Sequence, residues 1–204
     1  MLTPFGYFDL IDEMKQSGCP ICNLLARDAT KMLNTILYEY VVEPDMHAIF
    51  RASHGLCNEH GWQLAEIGNA MSIAVLYKAV VDEILKKMNN TPDNGNSRGM
   101  RRLLGRADNH ALADALESGK PCPVCDKKDE NQKRYVEVFR DHLSDKRLIN
   151  AYQQSDGLCV GHFQQVLNHT SNADDSQRLI AMQRQLWEAL QHDLSEFIRK
   201  YDFN

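Results

Sequence analysis

The sequence predicts an all-α protein made of two tandem helical modules, each carrying a Cys-Cys-Cys-His metal site. Three observations predict it. Apolar residues recur at intervals of three and four along most of the chain, strand-like alternation is hard to find, and one cysteine–histidine pattern occurs twice.

In chain order, Phe5, Phe8, Ile11 and Met14 predict a short amphipathic helix, closed by Ser17-Gly18, a C-cap signal. Pro20 suits the first turn of the next helix, where its missing N–H costs nothing. That helix is carried by Leu24, Leu25, Ala29, Met32, Leu33, Ile36 and Leu37 and stopped by Pro44. Asp45 to Ala52 is a short helix or turn. One long helix is expected from about Glu59 to Met88, with Leu64, Ile67, Met71, Val75, Ala79 and Ile84 on its inner side. The polar, turn-rich run Asn89 to Ser97 reads as a linker. The second half repeats the plan, with helices over about Met100–Leu116, Val124–Leu143, Lys146–Gln153 and Asp174–Tyr201. The expected organisation is a first module over 1–90, a linker over 91–99 and a second module over 100–204, the two being free to pack as one domain.

The repeat rests on paired motifs. Cys19-Pro20-Ile21-Cys22 matches Cys122-Pro123-Val124-Cys125, and Gly55-Leu56-Cys57-Asn58-Glu59-His60 matches Gly157-Leu158-Cys159-Val160-Gly161-His162. The gap from Cys22 to Cys57 is 35 positions and that from Cys125 to Cys159 is 34, and the motifs take up all 6 cysteines. Ser17-Gly18 and Ser118-Gly119 precede the first motifs; Phe50 and Tyr152 each precede the Gly-Leu-Cys by the same interval.

Two cysteines separated by two residues can direct both sulfurs to one ion, and a cysteine and a histidine at i and i+3 can do the same on the first turn of a helix. Cys19, Cys22, Cys57 and His60 therefore form one expected ligand set, and Cys122, Cys125, Cys159 and His162 the other. An exchanged pairing, the Cys-Pro-x-Cys of one copy with the Cys-x-x-His of the other, fits the sequence as well. Three thiolates and one imidazole suit tetrahedral zinc, so two zinc ions are expected. Iron–sulfur clusters are the alternative cofactor. Each Cys-Pro-x-Cys is expected at a helix start, where the macrodipole favours thiolates.

At these motifs the chain resembles a prokaryotic family of uncharacterised helical proteins, a domain of unknown function marked by repeated C-P-x-C … G-L-C-x-x-H. The resemblance runs through both copies and implies a metal-binding helical fold. It supplies no activity.

Composition narrows the function classes. The chain has 204 residues, 43% hydrophobic and 25% charged, enough for a substantial core. A formal charge of −5 argues against nucleic acid or anionic lipid as partners. No basic-then-apolar leader opens the sequence and no apolar run is long enough to span a bilayer, so a cytoplasmic protein is expected. In a reducing compartment the cysteines speak for metal rather than disulfides.

Other features have ordinary readings. Glu59 lies between two ligands, but a four-ligand site leaves no position for a substrate water and the second copy has Gly161 there. No catalytic residue is therefore named. His47 and His54 read as turn histidines, and Arg98, Arg101, Arg102 and Arg106 as a solvated basic face. The stripe Leu179, Met182, Leu186, Trp187, Leu190, Leu194 and Phe197 reads as core, with part of it available to a second subunit. The expected function is a non-enzymatic, zinc-stabilised scaffold for an unidentified protein partner. An iron–sulfur electron-transfer or redox-sensing protein is the second reading, and a thiol oxidoreductase or metalloenzyme the third.

Overall fold

A computed structural model describes residues 6–90 and 109–201. Among these residues there are ten helices and no strand: α1 (Tyr7–Glu13), α2 (Pro20–Tyr38), α3 (Pro44–Ser53), α4 (Asn58–Ile67), α5 (Ala70–Asn90), α6 (Asn109–Ala115), α7 (Pro123–Asp141), α8 (Lys146–Gln153), α9 (Val160–His169) and α10 (Ala173–Tyr201). The predicted fold class is the observed one. The expected linker, the start of the helix expected from Met100, and Arg98, Arg101, Arg102 and Arg106 lie outside the described residues.

Most boundaries follow from local chemistry. Pro20, Pro44 and Pro123 each open a helix. Asp145 caps α8 by accepting from the Arg147 N–H at 2.7 Å. The single helix expected over 59–88 is instead two. Gly68 and Asn69 both take positive φ, 95° and 64°, and the Asn69 side chain accepts from the Ser72 N–H at 3.3 Å, starting α5 afresh. The break advances the buried face by one residue. Ser72, Leu76 and Val80 face the core, whereas Met71, expected inside, is 76% exposed. Its counterpart in the second half is the break at Thr170–Asn172, where Asn172 Oδ1 accepts from the N–H groups of Asp174 and Asp175 at 2.8 and 3.2 Å. That break separates α10 from α9, a helix the periodicity had not marked.

The chain divides into two compact units, Met1–Asp28 with Lys128–Asn204, and Ala29–Lys127. The divisions fall inside α2 and inside α7, so neither unit coincides with the sequence module 1–90 or 100–204. The reason is that both helices are long: each has 19 residues, or about 28 Å. Each helix contributes its start to one core and its remainder to the other.

The first unit is built on Tyr7, Leu10, Met14, Ile21, Leu24 and Leu25 from the N-terminal segment, packed with Phe139, Leu148, Tyr152, Val166 and Leu179. Asp28 on α2 braces it, accepting from Asn131 Nδ2 at 2.8 Å and the Tyr135 hydroxyl at 2.7 Å, both on α7. The second unit packs Leu33, Ile36 and Leu37 of α2 against Phe50, Leu64, Leu76, Val80 and Val124. The aromatic pair noted in the repeat, Phe50 and Tyr152, occupies the two cores, and both are 0% exposed. A buried aromatic of this size contributes about 3–5 kcal/mol relative to alanine. Among the described residues no helix is long and apolar enough to cross a membrane.

Candidate metal centres

All eight predicted ligand residues lie in two tight groups, one per unit, but not in the within-copy sets. Cys19 and Cys22 meet Cys159 and His162 in the first unit; Cys57 and His60 meet Cys122 and Cys125 in the second. The exchanged pairing is the one observed. Cys19 and Cys22 stand at the start of α2 and remain with the first core, while the rest of α2 leads the chain to the second. There Phe50 and Leu64 anchor the elements flanking Cys57 and His60.

Each group is made where two helix starts converge. In the first unit these are α2, entered through Cys19-Pro20, and α9, whose N-cap is Cys159. In the second they are α7, entered through Cys122-Pro123, and α4, whose N-cap is Cys57. One turn of helix carries the second ligand of every motif to the same side. Both centres thus sit at the positive ends of two macrodipoles, suited to a site whose three thiolates outweigh a divalent ion by about one charge.

The distances are nearly the same in the two centres. In the first, His162 Nδ1 lies 3.4 Å from Cys19 Sγ, 3.3 Å from Cys22 Sγ and 3.3 Å from Cys159 Sγ. The Cys22 and Cys159 sulfurs are 3.8 Å apart. In the second, His60 Nδ1 lies 3.2 Å from Cys57 Sγ, 3.6 Å from Cys122 Sγ and 3.4 Å from Cys125 Sγ, with Cys57 and Cys125 sulfurs 3.6 Å apart. All ligand atoms of each group fall within 4.8 Å of one another. A tetrahedral ion with Zn–S near 2.3 Å and Zn–N near 2.0 Å requires edges of about 3.8 Å between sulfurs and about 3.5 Å between sulfur and nitrogen. The donor set of each centre could hold one tetrahedral metal ion.

The thiols are not electrostatically alike. At Cys57 and Cys159 burial pushes the pKa up, but the backbone N–H groups of the following helix and the neighbouring thiols outweigh it, and the net shift is downward. Burial, then the adjacent cysteines, push Cys22 and Cys125 up to about 12. Cys19 is also raised, chiefly by burial. Cys57 and Cys159, the N-cap cysteines, are thus the ones whose thiolates are favoured. At His162 burial, and then Lys128, lower the pKa, which favours the neutral imidazole that a metal needs.

Exposure differs between the centres. Cys22 and Cys159 are exposed, whereas Cys57, Cys122 and Cys125 are half-buried; His60 and His162 are buried.

Three residues outside the eight candidate ligands, Gln183, Asp156 and Tyr77, hold the ligand loops. In the first unit Gln183 of α10 is fully buried, and its Oε1 accepts from the Leu158 N–H at 3.0 Å and from the Tyr152 hydroxyl. Gly157, at φ 78°, lies directly on it: a Cβ there would stand 2.8 Å from the Gln183 amide. Asp156 accepts from the Gly18 N–H at 2.7 Å and so joins the two motif loops. In the second unit Tyr77 of α5 covers Gly55, reaching within 3.0 Å of where a Cβ would be, and its hydroxyl meets the Leu56 backbone. Gln183 carried a signal, a polar residue inside the apolar stripe Leu179, Met182 and Leu186. Asp156 and Tyr77 carried none. His47 Nε2 donates to the Val41 carbonyl at 2.8 Å, and His54 faces Lys87 Nζ at 3.0 Å; neither joins a centre. Glu59 is likewise outside both ligand groups.

The chain belongs to DUF6062, a family of unknown function, whose model matches residues 8–204. It is 20% identical over 195 residues to an uncharacterised 23.9 kDa protein encoded in the xynA 3′ region of Caldicellulosiruptor sp. (strain Rt8B.4), covering 95% of this chain and 87% of that protein. No solved structure matches the chain.

Proposed function

We propose that this DUF6062 protein is a cytoplasmic zinc protein with two tetrahedral sites, acting as a non-enzymatic scaffold for a protein partner. The observation that carries the reading is the size of the ligand groups. Each set of three sulfurs and one nitrogen spans no more than 4.8 Å, which matches the edges of a single tetrahedral ion. An iron–sulfur cluster spreads its ligands over two or more irons and so needs some ligand atoms farther apart than the 4.8 Å limit of these groups, which favours a single ion. With all four positions filled by protein, no site is left for substrate water, and this supports a structural rather than a catalytic ion. Cys19, Cys22, Cys159 and His162 would hold one zinc, and Cys57, His60, Cys122 and Cys125 the other. The ion would supply cross-links between segments remote in sequence, on the order of 10 kcal/mol per site.

The test is elemental analysis with a visible spectrum, on untagged protein purified without oxygen or added metal. Two zinc per chain and no visible absorption are expected. Iron with acid-labile sulfide would sink the reading and make this a redox protein. The scaffold part is tested separately, by quantitative affinity capture from the native host with wild type and with a zinc-free variant. A partner retained only by the zinc-loaded form is expected.

A further inference from the structure

The last three turns of α10 present an apolar stripe to solvent. Leu190, Leu194, Phe197 and Tyr201 recur at intervals of four, three and four and are 54%, 53%, 62% and 75% exposed, with Ile198 beside them at 59%. The same stripe is buried earlier in the helix, at Leu179, Met182 and Gln183. The helix is therefore anchored in the first core and its far end carries apolar residues at coiled-coil spacing.

The charges beside the seam select the occupant. Asp193 and Lys200 lie seven residues apart on one edge of the stripe, and the other edge carries Gln191 and Ile198. In a coiled coil an antiparallel partner places like edges together, whereas a parallel partner places opposite edges together. A second copy running antiparallel about a two-fold axis near Glu196–Phe197 would set Asp193 against its Lys200, twice. A parallel copy would set Asp193 against the uncharged Ile198 and give Lys200 no counterpart. Between residues 188 and 201 the helix also carries Glu188 and Glu196 against Arg199, so its charge is not the basic surface that an anionic membrane selects.

We propose that the C-terminal half of α10 is a self-association surface, and that it pairs two copies of this chain as an antiparallel helix pair through Leu190, Leu194, Phe197 and Tyr201. The seam is about 17 Å long, which suits a weak, concentration-dependent dimer rather than an obligate one.

The experiment is analytical ultracentrifugation of the full, metal-loaded chain under reducing conditions, from low micromolar to several hundred micromolar. The mass is expected to rise from one chain to two. Leu194→Glu with Phe197→Glu should remain monomeric with unchanged circular dichroism, because both residues are already exposed. Asp193→Lys should weaken association about tenfold, and the double variant Asp193→Lys with Lys200→Asp should restore it. A wild type that stays monomeric throughout overturns the proposal, and so does a double variant that stays as weak as the single. Binding of the monomer to anionic vesicles, with no dimer at any concentration, would also overturn it.

Discussion

Cys22 Sγ stands 3.8 Å from Cys159 Sγ, although 137 positions of chain separate the two residues. A contact of that range closes a loop containing most of the protein, and its counterpart, Cys57 with Cys125 at 3.6 Å, closes one within the second unit. Metal bound at either site would therefore restrain long stretches of chain, and the pairing itself can be read out chemically.

Ligand pairing predicts how zinc losses combine. Cys22→Ser and Cys159→Ser should each lower the zinc content from two to one per chain, and the double variant should still hold one. Cys22→Ser combined with Cys57→Ser should hold none. Within-copy pairing predicts the opposite result for the two doubles, so elemental analysis of four purified variants decides between them.

Gln183→Leu should damage one centre and spare the other. It removes an acceptor from the buried Tyr152 hydroxyl and from the Leu158 N–H, which keeps a second acceptor in that hydroxyl at 3.2 Å, at a cost of about 1–3 kcal/mol. Denaturant unfolding should show that loss. Zinc transfer to a chromophoric chelator should become faster for one ion per chain and stay unchanged for the other. Equal acceleration of both would show that the residue acts on the fold alone.

Zinc binding should release protons, and affinity should rise with pH. Cys22 and Cys125, pushed up to about 12 without metal, hold their protons at pH 7 and must lose them to bind. The sign follows directly: lowering the pH adds competing protons, and raising it removes them. His162, lowered by burial and then by Lys128, has little proton to give at that pH. Calorimetric titration of the apoprotein in buffers of different ionisation enthalpy should find at least two protons displaced per chain; none displaced would contradict the thiol ordering.

Alkylation of the zinc-loaded protein should be ordered by exposure. Cys22 and Cys159 should react with a small maleimide before Cys57, Cys122 and Cys125, because the first two are exposed and the others half-buried. Peptide mass spectrometry over a time course measures the order, and labelling first at the second centre would contradict it.

Much of the molecule was legible from residues alone. Pro20 marked a helix start where α2 begins, and Leu24, Leu33 and Leu37 marked a face that is buried, whereas Pro44, expected to stop α2, also opens α3. The ligand residues were legible because metal chemistry imposes short spacings, and the two-residue gaps in Cys19–Cys22 and Cys57–His60 are local geometry. The break after Ile67 is hidden because Leu64, Ile67, Met71 and Val75 keep helical spacing across the turn-forming pair Gly68-Asn69, which takes positive φ at both residues. Met71 consequently landed outside, and Ser72 inside.

The sequence by itself determined the helical class, the eight candidate ligand residues and their division into four short motifs, since each depends on interactions spanning a turn or two of chain. The tertiary structure alone decided which motifs meet. That choice depends on where the two 19-residue helices leave their second ends, and on which core, around Phe50 or around Tyr152, buries the elements that follow. Spacing along the chain constrains neighbours within a turn, and packing in space constrains partners more than a hundred residues apart.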